Sequence, residues 1–278
     1  MHDTALVDYT YPQMISALAL LLAVSPPATD DKIVADALAR INSYRTLVGL
    51  KTVRLHPVLS KAAAGHAKYM TLNNVFTHIQ QQGKKGFTGA DPSNRARKAG
   101  YAPEYVLEDI ATGSLAISFN LLLNGPYHRQ PFIEPETTEM GIGADGKNVV
   151  FLFPIPEGEP AVFPLPGQKN VPTEWKGYDV PSPYRMHKGA KPPFGTPVQI
   201  FLRDMSGLTG IKFSVRTAQG KILDCYLNTP ENDDSLQDAI MLIPKMPLAP
   251  GTTYIASFSA YQSSGKLIAK TWTFTTAK

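Results

Sequence analysis

Three residues capable of acid–base or ligand chemistry lie near the middle of the chain, roughly 20 to 30 residues apart. His78 ends the sequence FTH, Glu108 lies in LEDI, and His128 lies in GPYHR. No other histidine occurs between residues 76 and 153. Side chains this far apart in the sequence can meet only through folding, so we expect a site formed by His78, Glu108 and His128.

Apolar residues at three- and four-residue steps predict two helices before this site. The first runs from Asp31 to about Leu47 and ends before Gly49, and the second begins at Pro57 and continues through Met70. A polar, glycine-rich loop is expected over residues 80–92, and a short helix over 93–99.

A further apolar-periodic stretch begins at Glu108 and is broken at Gly125, which predicts a helix that ends just before His128. The sequence EMGIGA that follows is typical of a tight glycine turn, and NVVFLF, residues 148–153, predicts a buried strand. We therefore expect His78 and His128 to flank helices rather than to lie within them.

Two more histidines lie in the helical region and have simpler interpretations. His66, on the alanine-rich second helix, is expected to be a satisfied packing residue, and His56 is expected to start that helix just before Pro57. Cys225, the single cysteine, excludes an internal disulfide and a cysteine-based metal cage, and its neighbours favour a small buried strand residue.

Composition and charge limit the function classes. The chain has 278 residues, 43% of them hydrophobic and 18% charged, which is typical of a globular protein with room for two domains. The formal net charge is +4, and the Lys and Arg residues are scattered without interleaved aromatic residues. Nucleic acid is therefore not an expected partner.

An apolar run from Met14 to Val24, followed by SPPA, has the length of a signal-peptide core and is too short to span a bilayer. No Lys or Arg precedes it, so the positive leader of a signal peptide is missing. The run therefore predicts secretion, with a short amphipathic or buried helix as the alternative.

Prolines divide the second half of the chain. Eleven of the 24 prolines lie between residues 154 and 197, which predicts a linker without regular helix, although its aromatic residues favour packing along a surface. Beyond it, six runs predict strands, separated by turn residues: 198–201, 210–216, 222–227, 239–243, 253–260 and 271–275. Alternation within these runs predicts a small antiparallel sandwich.

The region from about Ile33 to Phe153 resembles the CAP superfamily of cysteine-rich secretory, antigen 5 and pathogenesis-related 1 proteins, in its bacterial form. The resemblance rests on ordered motifs: NSYR in the first helix, HAKYM in the second, then FTH, Arg95 followed by AGY, EDI, PYHR and MGIG. The last domain, with PGTTY and WTFTT, looks like a bacterial Ig-like module.

The resemblance implies an α+β chain: a three-layer α-β-α CAP sandwich followed by a small all-β Ig-like sandwich. The implied organisation is a signal peptide or N-terminal apolar segment at 1–28, a CAP domain at 29–155, a Pro-rich linker at 156–195 and the Ig-like domain at 196–278. It also implies a cleft lined by two histidines, His78 and His128, and two acids.

One cleft acid is Glu108 by position. Two acids, Asp91 and Glu104, lie between His78 and Glu108, and of these we expect Asp91 to be the second cleft acid. Three positions depart from the family pattern: Asp109 replaces the usual asparagine, Leu122 the usual tryptophan, and Gly125 the usual serine. These departures affect the expected shape of the cleft more than the fold.

The function expected from these features is that of a secreted, non-enzymatic binding protein for a small-molecule, lipid or cell-wall ligand. His78 and His128, with a carboxylate and a water, could hold zinc, or the same residues could form only a hydrogen-bonded network. The alternative is a hydrolase in which a His and Glu pair or a bound metal activates water. No nucleophile motif and no HExxH sequence supports that alternative.

Overall fold

The computed structural model describes residues 30–102, 105–155, 158–202, 204–236 and 238–278. The apolar run Met14–Val24, and with it the predicted signal peptide, lies outside the described residues. Among the described residues, no helix combines the length and the apolar character needed to cross a membrane.

The first domain is a four-stranded sheet between two layers of helices. The sheet order is β1-β3-β4-β2, with β1 and β3 parallel and the other pairs antiparallel. Its elements are α1 (Asp30–Leu47), β1 (Arg54–Leu55), α2 (Pro57–Asn73), α3 (Pro92–Ala99), β2 (Val106–Thr112), α4 (Leu115–Asn124), α5 (Gln130–Ile133), β3 (Glu139–Asp145) and β4 (Asn148–Pro154). The predicted first, second and short third helices correspond to α1, α2 and α3.

Alternation along the central strand β4 creates two cores, one on each face of the sheet. Phe151 and Phe153 pack with residues of α1, α4 and α5, whereas Val150 and Leu152 pack with residues of α2 and α3. Because both sets are fully buried, β4 is apolar throughout rather than alternately apolar and polar. This is a mixed α/β arrangement with helices on both faces, as the predicted α-β-α sandwich requires.

The glycines of EMGIGA form part of strand β3 rather than the predicted tight turn. A Cβ on Gly141 would lie 2.4 Å from the carbonyl carbon of Leu59, and one on Gly143 would lie 2.0 Å from the amide nitrogen of Ala64. Helix α2 therefore packs its backbone directly against β3, and only glycine leaves the space for it. The glycine spacing that predicts a turn instead reflects close packing of a helix against a strand.

The helix predicted to begin at Glu108 is also wrong in its first part. Residues 106–112 form strand β2, which pairs antiparallel with β4 along its whole length, and helix α4 begins only at Leu115. Gly113, with a φ of 81°, turns the chain between them. Pairing with the buried strand β4 outweighs the helical periodicity of the apolar residues in this stretch.

The second domain is a sandwich of two antiparallel sheets. One sheet has the order β5-β6-β9-β8, the other has the order β11-β10-β7, and one apolar cluster fills the space between them. The strands are β5 (Ala161–Phe163), β6 (Val198–Phe201), β7 (Thr209–Thr217), β8 (Cys225–Asn228), β9 (Ala239–Pro244), β10 (Thr253–Tyr261) and β11 (Leu267–Thr275). The relation to bacterial Ig-like modules stays a prediction.

The Pro-rich segment, predicted as a linker, packs as part of the second domain. It supplies the edge strand β5, and further along it Trp175 and Phe194 exchange two backbone hydrogen bonds of 2.7 and 2.9 Å. This bridge closes a loop, residues 175–194, which we call the strap. An edge strand and a closed loop tolerate proline because neither needs a complete ladder of N–H donors.

A shared apolar cluster joins the two domains. Ile133 of α5 packs with Phe163, Trp175 and residues of the second domain, and the Arg129 guanidinium lies 4.0 Å from the centre of the Phe163 ring. Gln199 of β6 donates a 2.7 Å hydrogen bond to the carbonyl of Pro126, in the loop that carries His128. The second domain therefore packs against the loop that carries His128 of the predicted site.

Candidate functional site

Strand β2 presents Glu108 and Asp109 on opposite faces of the sheet, because successive strand residues point in opposite directions. Glu108 pairs with Leu152 in the register, on the α2 and α3 side, and Asp109 pairs with Phe151, on the α1 and α4 side. The two predicted histidines divide between these faces. His78 pairs with Glu108, whereas His128 pairs with Asp109.

The Glu108 carboxylate is buried between a histidine and an arginine. Its Oε1 lies 3.0 Å from Nδ1 of His78, and its Oε2 accepts a 2.5 Å hydrogen bond from Arg95. The side chains of Glu108 and Arg95 are 1% and 0% exposed. Arg95 lies on α3 and also donates to the backbone carbonyl of His78, so it fixes both members of the pair.

His66 lies behind this pair and is fully buried. Its Nε2 is 2.8 Å from the carbonyl of Thr77 and 3.6 Å from Oε1 of Glu108, and its Nδ1 is 2.9 Å from Nε2 of Gln80. Burial lowers the pKa of His66, and the positive charge of Arg95 adds to this, while the charge of Glu108 opposes it. His66 is thus a neutral packing residue, as its position on the alanine-rich helix predicted.

His78 is the accessible member of this group. Its side chain is 46% exposed, and the apolar residues on either side of it, Phe76 and Ile79, are 54% and 53% exposed. Val75, just before them, is also exposed. The loop after α2 therefore presents an imidazole together with three apolar side chains at the surface.

His128 is held between two carboxylates. Its Nδ1 lies 2.9 Å from Oδ1 of Asp109, and its Nε2 lies 3.4 Å from Oδ1 of Asp179. Burial alone would lower the pKa of His128, but the hydrogen bonds and negative charges of the two aspartates outweigh it and raise the pKa to about 10. His128 is therefore a cation near neutral pH, with both ring nitrogens acting as donors.

Asp109 is fully buried, and burial raises its pKa, while the hydrogen bond and charge of His128 act in the opposite direction. The charge of His78 also acts to lower the pKa of Asp109, and that of Glu108 to raise it. The two histidine–carboxylate pairs are thus electrostatically coupled across the strand although they face opposite sides.

Asp179 is a site residue that the sequence analysis missed. It lies in the strap, and its Oδ2 accepts a 3.1 Å hydrogen bond from the backbone N–H of Tyr127. Its Oδ1 also accepts a 3.0 Å hydrogen bond from the N–H of Val180. No local motif surrounds Asp179, and its position in a Pro-rich segment predicted as a linker gave no signal of contact with the first domain.

The structure places Asp91, the predicted second acid, at the start of a helix. Its Oδ1 accepts a 2.8 Å hydrogen bond from the N–H of Asn94, and it is the N-cap of α3. The residue is exposed. In this structure the acids facing His78 and His128 are Glu108, Asp109 and Asp179.

The arrangement of these residues does not fit a zinc site held by His78 and His128. Both ring nitrogens of His128 already face aspartate oxygens, and the two histidines pair with carboxylates on opposite faces of the sheet. Within the described ranges, no three His, Cys, Asp or Glu side chains are grouped so as to hold a metal ion. Zinc binding stays a prediction of the sequence alone.

A second polar network joins the loop of His128 to the strap and the second domain. The Tyr127 hydroxyl donates a 2.7 Å hydrogen bond to Asp233, and Arg185 of the strap binds Asp233 at 2.9 Å and also pairs with Asp234. Burial and the hydrogen bond to Asp233 raise the pKa of Tyr127. These contacts anchor one arm of the strap between the domains.

The first domain has an α-β-α layer structure with histidine–carboxylate pairs at an edge strand of its sheet. Residues 38–149 match the model of the cysteine-rich secretory protein family, CAP. This part of the chain is therefore a CAP domain.

Solved structures similar to this chain have low identity. An extracellular protein containing an SCP domain from Bacillus anthracis is 22% identical, with a TM-score of 0.39 over 46% of this chain and 44% of that protein. The match thus spans less than half of that relative. An outer surface protein from Borrelia burgdorferi is 24% identical, with a TM-score of 0.38 over 45% of this chain and 94% of that protein.

CopC from Methylosinus trichosporium is 13% identical, with a TM-score of 0.29 over 44% of this chain and 94% of that protein. The search of curated proteins gives no match.

Proposed function

We propose that this chain is an extracellular CAP-domain protein that binds an amphipathic ligand, such as a lipid, at the surface around His78. The observation that carries the proposal is an imidazole 46% exposed beside Phe76 and Ile79, which are themselves more than half exposed. Large apolar side chains grouped at a surface favour contact with an apolar partner.

The apolar side chains and the imidazole at this surface each place a requirement on the proposed ligand. Its apolar part would cover Val75, Phe76 and Ile79, each of which gains about 1.5–3 kcal/mol at most when fully buried. Its polar part would meet His78, whose orientation is fixed because Glu108 holds Nδ1 and Arg95 holds the backbone carbonyl. A fixed imidazole loses little entropy when it binds a ligand.

The protonation of His128 and the burial of Glu108 favour binding over hydrolysis. His128 carries a proton near neutral pH, because its pKa is raised to about 10, so it cannot act as a general base there. The charge of Glu108 is compensated by Arg95 at 2.5 Å, and the carboxylate is buried. This leaves His78 as the base that a hydrolytic mechanism would need.

The alternative function, a hydrolase outside the cell, rests on the His78–Glu108 pair. A buried carboxylate on Nδ1 orients an imidazole so that its other nitrogen can take a proton from water or from a substrate hydroxyl. Hydrolysis of peptides or wall fragments that is lost in His78→Ala would favour this alternative.

The extracellular location is part of the proposal. It is supported by the secretory character of the CAP family and by the apolar run Met14–Val24. Because the chain has a single cysteine, an exported form would not rely on internal disulfides.

The test is a titration of the full chain with a fluorescent fatty acid and with liposomes, comparing Phe76→Ser and Ile79→Ser with the wild type. We expect each variant to bind about three- to tenfold more weakly, because each removes part of an apolar contact. Ile222→Ser, which changes an exposed apolar residue of the second domain, is the matched control and should bind normally. Equal binding by all four proteins would contradict the proposal.

A further inference from the structure

The carboxylate of Asp179 lies in a small cradle formed by the first domain. The cradle consists of the Tyr127 N–H, 3.1 Å from Oδ2, and Nε2 of His128, 3.4 Å from Oδ1. Gly125 forms its floor, since a Cβ there would lie 3.1 Å from Oδ2 of Asp179 and equally close to the His128 ring. The Asp179 side chain is only 4% exposed in this position.

The first domain builds this cradle from its own backbone and side chains. The turn after α4 is closed by hydrogen bonds of 3.1 Å from the N–H groups of His128 and Arg129 to the carbonyl of Gly125. These bonds leave the N–H of Tyr127 pointing out of the turn. Asp109 holds the other nitrogen of His128, which aims Nε2 at the same place. Both donors are therefore fixed from the side of the first domain.

The strap that carries Asp179 is anchored at points away from this residue. The base of the strap is secured by the Trp175–Phe194 bridge, and Arg185 is anchored to Asp233 and Asp234. Tyr178 and Val180, on either side of Asp179, have exposed side chains. Because the bridge and the Arg185 ion pairs do not involve Asp179, its release from the cradle would leave the base of the strap bonded.

We propose that the cradle formed by Tyr127 and His128 is a carboxylate-binding site, and that Asp179 is its internal occupant, which a carboxylate-bearing ligand displaces. Two donors set to meet two oxygens of one planar group match a carboxylate, and the close approach at Gly125 admits a group without bulk on that side. The site is separate from the apolar side chains around His78, so this inference goes beyond the proposed function and does not depend on it.

The test uses acetate as the probe and the full chain with Asp179→Ala, which empties the cradle. Acetate is titrated while the ring resonances of His128 and the amide resonance of Tyr127 are followed by NMR. We expect the variant to bind acetate at least about tenfold more tightly than the wild type, because the internal competitor is gone and a charge-assisted hydrogen bond is regained. Asp224→Ala, which removes an exposed aspartate paired with Lys245, is the charge-matched control and should behave as the wild type.

A second variant, Asp179→Asn, keeps the shape of the strap in case Asp179→Ala does not fold. Its amide is uncharged and places an NH₂ group against one of the two donors, so acetate should again bind more tightly than to the wild type. If acetate binds no more tightly to either folded variant, and the His128 and Tyr127 resonances do not move, Asp179 is only a structural clasp and the proposal is overturned. Because acetate has no apolar chain, this failure would leave the proposal of amphipathic binding at His78 untouched.

Discussion

Two histidine–carboxylate pairs lie on opposite faces of one edge strand, and they differ in the charged groups that surround the imidazole. The His78 side chain, paired with Glu108, is 46% exposed, whereas the His128 side chain, 34% exposed, lies between Asp109 and a second carboxylate from the strap. The two carboxylates are neighbours in the sequence and both are buried. The difference must therefore come from the third partner of each pair.

That third partner has opposite charge in the two pairs. Glu108 is shared between His78 and Arg95, a permanent cation, while His128 is shared between Asp109 and Asp179. The first pair is thus built around a carboxylate with two basic partners, and the second around an imidazolium with two acids. In the second centre His128 can lose its proton as the pH rises toward 10, whereas the guanidinium of Arg95 in the first centre keeps its proton.

The largest expected effect follows from this difference. Glu108→Ala would leave the buried guanidinium of Arg95 without a counter-charge, and we expect a loss of about 3–5 kcal/mol in the free energy of unfolding. Asp109→Ala should cost less than half as much, because His128 can release its proton and keeps Asp179 as a partner. Urea denaturation followed by far-ultraviolet circular dichroism measures both.

The control for this comparison is Arg54→Ala, which removes the 78% exposed partner of an ion pair with Glu139 and should change the free energy of unfolding by less than about 1 kcal/mol. Equal losses for Glu108→Ala and Asp109→Ala would show that the two centres respond alike, which contradicts the argument from the third partner.

A smaller effect is expected from pH and involves the His128 centre. The pKa of His128 is raised from its ordinary value of about 6.5 to about 10 in the folded protein, so protonation there stabilises the fold. This contribution is complete below pH 6.5 or so and is lost as the pH rises toward 10. The melting temperature of the wild type should therefore fall across this range, and Asp179→Asn should flatten the fall.

The experiment compares the pH dependence of the melting temperature between the wild type and Asp179→Asn. Burial raises the pKa of the Cys225 thiol to about 12, so Cys225 also destabilises the fold above pH 9, but it does so equally in both proteins. Parallel melting curves for the wild type and Asp179→Asn between pH 6.5 and 10 would mean that Asp179 does not hold the charge of His128.

The fold was predictable wherever one local signal decided the structure. The start of α2 at Pro57, with His56 as its cap, follows from a local capping signal. The strands β6 and β9 follow from short apolar runs between turn residues, and β10 follows from alternation. The stretch after Glu108 was not predictable in this way, because its apolar spacing suits a helix, and only pairing with β4, some 40 residues later, makes it a strand.

The site shows the same division between local and distant information. His78 and Glu108 were predicted together, and the structure places them 3.0 Å apart. The partner of His128 changed from Glu108 to Asp109 once residues 106–112 became a strand, because adjacent strand residues face opposite sides. Asp179 lies 51 positions beyond His128 (179 − 128), and no residue type or spacing in its Pro-rich surroundings distinguishes it from a solvated aspartate.

The smallest expected effect concerns Asp91, which the resemblance to CAP proteins suggested as the second acid. As the N-cap of α3, Asp91 accepts the N–H of Asn94, so Asp91→Ala should lower the free energy of unfolding by about 1 kcal/mol. Asp91→Asn should restore this stability, because asparagine caps a helix about as well as aspartate does.

Asp91→Asn also removes the charge, and for this reason it separates the two roles. A capping residue tolerates the change, and fatty-acid binding should match that of the wild type. A cleft acid would lose its charge and with it part of the binding. Weaker ligand binding by a fully stable Asp91→Asn protein would return Asp91 to the site.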